Sequence, residues 1–189
     1  MDPAAARSQL LALLRERAVL HGDFTLSSGR RSSYYLDARV VTLSAQGSHL
    51  VAQVFLQTIC DTDVEAVAGL TLGADPIVAS IAAVSGRDGR PIDGLIVRAT
   101  RKEHGAARRI EGPWRPGLHV AVVDDTFTTG ASALEAAEAI VDAGGEVRAV
   151  YALIDREQGA REAIESAGYA FHAIFTSREV MEGVQPQTV

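Results

Sequence analysis

Five short apolar runs, "VEAVAGL" (64–70), "IDGLIVR" (92–98), "LHVAVVDD" (118–125), "VRAVYALID" (147–155) and "YAFHAIF" (169–175), alternate with stretches of helical spacing. No other feature limits the fold as much. Strands of nearly continuous apolar character are buried on both faces, and strands joined through helical segments lie parallel. The pattern therefore predicts an α/β domain with a mostly parallel sheet flanked by helices. Helices are expected over 45–60, after "TLGADP" through "IVASIAAV", over 131–143 and over 157–167. In the third of these, Ala133, Leu134, Ala137 and Ile140 share one face and Gly144–Gly145 end the helix.

An N-terminal helix over 4–18 and a hairpin, "DFTLSSGRRSSYYLDAR", that turns at "SSGRR" lie outside this alternation. They are expected to form a small hood, residues 1–40, on the same domain. The α/β core then occupies 41–175, and 176–189 is expected to be a C-terminal tail whose end, "GVQPQTV", is frayed. The segment 99–113 separates two strands without helical periodicity and is rich in Arg and Gly, which marks it as a functional loop.

Composition excludes several classes. A hydrophobic content of 47% rules out a disordered chain. No apolar run nears the ~20 residues that span a bilayer, so no membrane association is expected. The N-terminal helix is broken by Arg7, Arg15, Glu16 and Arg17, unlike a signal peptide, which makes a cytoplasmic location the expectation. Cys60 is the one cysteine, which excludes an intrachain disulfide and a cysteine metal site. A net charge of −6 argues against a nucleic-acid partner.

The stretch "HVAVVDDTFTTGASALEAA" (119–137) carries the chemistry. A buried strand delivers Asp124 and Asp125 to the carboxyl edge of the sheet, where open parallel sheets bind ligands. "TFTTGAS" then places hydroxyls and main-chain N–H groups at a helix start, which suits a phosphate. Two carboxylates beside a phosphate cradle fit a sugar phosphate: the loop takes the phosphate, and the aspartates accept hydrogen bonds from vicinal ribose hydroxyls. An N-capping Thr or Ser, with two exposed aspartates before it, would account for the same letters. Neither a P-loop nor a G-x-G-x-x-G turn is present.

The same stretch, "VVDDTFTTGAS", resembles the phosphoribosyl pyrophosphate (PRPP) binding motif of the type I phosphoribosyltransferases. "IVRATRKEHGAARRIEG" (96–112) resembles the mobile catalytic loop of the orotate phosphoribosyltransferases. "FTLSSGRRSSYYLDAR" (24–39) is similar to their N-terminal hairpin, "GLTLGADP" (69–76) to their pyrophosphate loop and "IDREQGA" (154–160) to their Asp-Arg segment. The resemblance implies a type I phosphoribosyltransferase-like fold and transfer of 5-phosphoribose from PRPP to orotate in pyrimidine synthesis. It assigns PRPP contacts to Arg98, Ala99, Lys102, His104 and the run Asp124, Asp125, Thr126, Phe127, Thr128, Thr129, Gly130, Ala131 and Ser132. Lys102, His104 and Asp124 become the catalytic groups, and Tyr35, Leu36, Thr128 and Arg156 the orotate contacts. Mg²⁺ is expected to arrive on PRPP, with a water-mediated contact to Asp124 and Asp125. A homodimer that shares the catalytic loop across its interface is implied as well.

Of 18 basic residues only Lys102 is a lysine, and it falls in that loop. Many members of the family carry lysines where this chain has Ser27, Gly73 and Ala99. Two other readings stay open: a phosphoribosyltransferase for a different base, or a PRPP-binding regulator without catalysis.

Overall fold

A computed structural model describes residues 3–25, 31–99 and 109–184. The chain begins with α1 (Pro3–Arg17), the antiparallel pair β1 (Val19–Thr25) and β2 (Arg31–Leu36), a single turn α2 (Arg39–Thr42), and α3 (Ala45–Thr58). Ser44 caps α3, its Oγ accepting from the Gly47 N–H at 3.1 Å. The expected alternation follows: β3 (Ala66–Leu70), α4 (Asp75–Asp88), β4 (Asp93–Val97), β5 (Ile110–Glu111), β6 (His119–Phe127), α5 (Ala131–Asp142), β7 (Glu146–Asp155), α6 (Ala160–Ser166), β8 (Phe171–Thr176) and α7 (Ser177–Met181).

The six-stranded sheet runs in the order β5-β4-β3-β6-β7-β8, parallel except for β5 against β4. Alternate residues of β6 face opposite layers, as the two-residue period of a strand requires. Ala121 and Val123 join Val67, Tyr151 and Leu153 beneath α1, α3 and α4, where Leu10, Phe55 and Ile77 are fully buried. Val120 and Val122 join Ala68 and Val150 beneath α5 and α6, against Ala136, Ile140 and Ile164. Both faces of the sheet are covered, so the strands read as unbroken apolar runs.

From β3 the chain moves outward to β4, then crosses back to place β6 on the other side of β3. The β3–β6 ladder spans only Ala66–Ala68 against Val120–Val122, whereas β6 stays paired to β7 as far as Phe127. The strand order reverses here and one ladder stops early, so a crevice opens at the carboxyl ends of β3 and β6.

Three boundaries differ from the sequence expectation. The third apolar run does not stop at the aspartates; β7 holds β6 in register through Asp124↔Ala152 and Phe127↔Asp155, so both carboxylates lie on the strand. The far end of the 99–113 segment is a strand: Ile110 and Glu111 pair with Val97 and Ile96. The expected tail starts with α7, whose Val180 is fully buried. Arg7 fastens α7 to α1, donating to Ile174 O at 2.9 Å and Glu179 Oε1 at 2.8 Å with its guanidinium 4.5 Å from the Phe175 ring centroid. The hairpin turn expected at "SSGRR" lies for the most part outside the described residues.

Candidate active site

The crevice is a cleft of about 580 Å³. Asp124, Asp125 and Thr126 of β6 form its floor, the end of β2 and start of α2 form one wall, and the turn after β3 forms the other. Thr128, Ser132 and Arg156 line it as well.

The acid pair dominates its electrostatics. Asp124 is only 7% exposed, with Oδ1 accepting from the Asp125 N–H and Oδ2 from Ser132 Oγ, both at 2.9 Å. Burial, reinforced by the adjacent Asp125 charge, pushes the Asp124 carboxyl up to about 7. Burial also raises Asp125, against a hydrogen bond from the Thr126 main chain and the positive charge of Arg39. Arg39 is gripped in turn by Asp37, its Nε donating to Oδ1 at 2.9 Å and its Nη2 to Oδ2 at 3.1 Å. Those hydrogen bonds hold the Asp37 carboxyl below the usual range. Two adjacent carboxylates in such surroundings resist carrying two charges at once, and a ligand that brings compensating donors or positive charge would relieve this.

Past the floor the chain turns at Gly130, whose φ of +77° suits glycine, and enters α5. The unpaired N–H groups of the first turn of α5 make this corner a cradle for an anion. Thr126 Oγ1 is buried without a hydrogen-bond partner among the described residues. So is Nε of Arg156, a residue only 7% exposed that lines the cleft. Its main chain is fixed: its N–H donates to Phe127 O at 2.9 Å, and its carbonyl accepts from Ser177 Oγ at 3.3 Å. A buried guanidinium with a spare donor calls for an anionic ligand.

The structure thus brings together Tyr35, Leu36, Asp124, Asp125, Thr126, Thr128, Ser132 and Arg156. It does not line the cleft with the side chains of the other expected contacts. Phe127 points into the core, its ring centroid 6.1 Å from that of Phe171. Thr129 is exposed, and Gly130 and Ala131 offer main chain at the helix start. Arg98 follows β4 with Nη1 3.6 Å from Glu111 Oε1, and Ala99 comes next; neither lines the cleft. Arg109 carries the Arg98 segment to α5, donating to Glu135 Oε1 at 2.5 Å. Lys102 and His104 lie outside the described residues. Asp37, Arg39 and Thr71 are lining residues that sequence reasoning missed. The first two stand in the quoted "YYLDAR", but an ordinary charged pair after a strand carries no signal of its own.

No family model matches the chain. Similar proteins include an orotate phosphoribosyltransferase from Tropheryma whipplei, 40% identical over 96% of this chain and 86% of the relative. Another, from Streptomyces coelicolor, is 47% identical over 84% of this chain and 87% of its own length. Among solved structures, Mycobacterium tuberculosis orotate phosphoribosyltransferase in complex with PRPP superposes with a TM-score of 0.79 at 40% identity, covering 93% of this chain and 98% of that one.

The acid pair gives the empty protein a defined pH response. With the folded carboxyl of Asp124 near 7 against an ordinary 3.8, the folded state binds more protons than the unfolded chain between those values. Stability should therefore fall as pH rises through that window. Asp124→Asn keeps the shape without the charge. It should exceed the wild type by on the order of 2 kcal/mol in urea denaturation at pH 8, with the gap closing towards pH 5. A gap that is constant with pH would contradict the raised carboxyl.

Proposed function

We infer the reaction from site and family together: this chain belongs to the orotate phosphoribosyltransferases, and its cleft fits transfer of 5-phosphoribose from PRPP to orotate, giving orotidine 5′-monophosphate and pyrophosphate. One observation carries the reading. A buried Asp124, its half-buried neighbour Asp125 and a buried guanidinium with a donor unpaired among the described residues line the same cleft. The carboxylates suit ribose hydroxyls, and the guanidinium suits the carboxylate of an anionic base. A neutral base would leave the charge of Arg156 uncompensated.

Each group then has a task. Main chain from Thr126 to Ser132 and the start of α5 receive the 5-phosphate. Asp124 and Asp125 hold the two ribose hydroxyls and favour the positive charge that grows on the sugar as the C1–O bond lengthens. Arg156 holds orotate so that its ring nitrogen faces C1, Tyr35 and Leu36 flank the ring from the hood, and Thr128 touches it. Orotate is anionic through its carboxylate; as the C1–N bond forms and the C1–O bond breaks, its ring nitrogen gives up a proton to the departing pyrophosphate or to solvent, and the barrier lies chiefly in that departure. Arg98, Lys102 and His104 fall to that leaving group, with Lys102 supplying a compact cation to the oxygen that gains charge.

Mg²⁺ suits these donors: two adjacent carboxylates are hard oxygen ligands, while no group of three or more metal-ligating side chains is present among the described residues. A cation that keeps most of its water and is carried by the substrate fits such a floor, with Asp124 and Asp125 reaching it through water. When bound it neutralises the charge of the diphosphate. We further propose that two copies pair, each lending its Lys102 loop to the other's cleft, and that the enzyme works in the cytoplasm, which its lone cysteine fits.

Arg156→Gln should raise the KM for orotate by about tenfold to a hundredfold and change the KM for PRPP little, in steady-state assays. Equal losses for both substrates would contradict the assignment. Lys102→Ala should cost kcat about a hundredfold. Mixing it with Asp124→Asn should recover part of the wild-type rate through hybrid dimers. No recovery, with hybrids verified by native mass spectrometry, would exclude a shared site.

A further inference from the structure

The turn from Thr71 to Ala74, between β3 and α4, presses on the acid pair at Gly73. A Cβ at this position would lie 2.8 Å from Asp124 Oδ1, 2.8 Å from Asp125 Oδ1 and 3.1 Å from Asp125 Cγ. The constraint is space, since Gly73 is not among the glycines with positive φ. The turn and the Asp124 carboxylate are both held in place, so the crowding falls first on Asp125. The Thr71 N–H donates to Val97 O at 2.9 Å, and Thr71 Oγ1 donates to Asp75 Oδ2 at 2.7 Å. At the base of the turn, a Cβ on Gly69 would meet Ala74 Cβ at 2.2 Å and Val123 O at 2.3 Å, so main chain is clasped against β6 there too. On the opposite side, the Asp124 carboxylate is fixed by the Asp125 N–H and Ser132 Oγ.

We propose that Gly73 is a specificity-determining position for the sugar diphosphate: its missing side chain leaves the carboxylate pair open to the ribose hydroxyls and gives the diphosphate a wall of main chain. This rests on the PRPP reading of the cleft. A side chain at 73 crowds the two carboxylate oxygens placed to grip the sugar. A lysine would add to that crowding an ammonium able to reach Asp124 and Asp125 and to pair with the oxygens that the sugar needs.

The obstruction falls on side-chain ends that line a cleft, so it should cost binding more than folding. Gly73→Ala should melt within a few degrees of the wild type yet raise the dissociation constant and KM for PRPP about tenfold or more, with a smaller change in kcat at saturation. Gly73→Lys should be worse than Gly73→Ala. Gly86→Ala serves as the control, because Gly86 is exposed on α4 and a Cβ there meets nothing within 4 Å. It should leave PRPP binding unchanged. Calorimetric titration of PRPP with Mg²⁺, alongside kinetics, reads all four proteins. Wild-type binding matched or exceeded by Gly73→Lys would overturn this proposal alone. Loss of folding in Gly73→Ala would also overturn it, since the constraint would then belong to the fold. A wild-type chain that neither binds PRPP nor consumes orotate would overturn the functional reading and this proposal with it.

Discussion

Two adjacent carboxylates held out of water where β3 and β6 part company are the constraint around which the rest of the molecule is arranged. Burying them is unfavourable in the empty protein, and burial pushes both carboxyls above their ordinary range. The fold tolerates this because each neighbour contributes a small compensation. Ser132 and the Asp125 N–H fix Asp124, the Thr126 main chain and the charge of Arg39 act on Asp125, and Asp37 holds Arg39 in the hood. The strain is local and useful: a ligand that brings hydroxyl donors, and positive charge on its ring, relieves it. A site of this kind interacts more strongly with a sugar that carries developing positive charge than with the uncharged sugar ring of the ground state, which is what electrostatic catalysis requires.

The hood and the core meet at this pair, which explains why an apparently separate N-terminal hairpin belongs to the catalytic domain. Tyr35 and Leu36 close one wall, and Arg39 carries a hood charge to a core carboxylate. On the far side, Arg156 stands at the end of β7, its main chain tied to Phe127 and to Ser177 at the start of α7. The short C-terminal helix thereby supports the residue assigned to the base, and Arg7 links it back to α1.

Much of this was legible in the sequence because the responsible signals are local. Apolar runs in alternation with helical spacing gave the sheet, and hydroxyls beside two aspartates gave the floor of the cleft. What escaped was set by partners distant in sequence. β7 keeps β6 extended through Phe127, so that Phe127 becomes a core residue against Phe171 although it sits inside the ligand motif. Asp37 and Arg39 matter only because α2 packs near β6, and Val180 only because α1 is there to bury it. Gly73 was visible as a departure from the family, but the reason for it needs the positions of Asp124 and Asp125 in space.

The central claim is that an acid pair facing a buried guanidinium selects an anionic base for a phosphoribosyl donor. The most direct test is pyrophosphate release by the purified wild-type chain with PRPP and Mg²⁺, offered orotate, uracil, adenine or hypoxanthine in turn. Release with orotate, matched by loss of orotate absorbance and absent with the three neutral bases, is the predicted result. Release with a neutral base, and none with orotate, would contradict it.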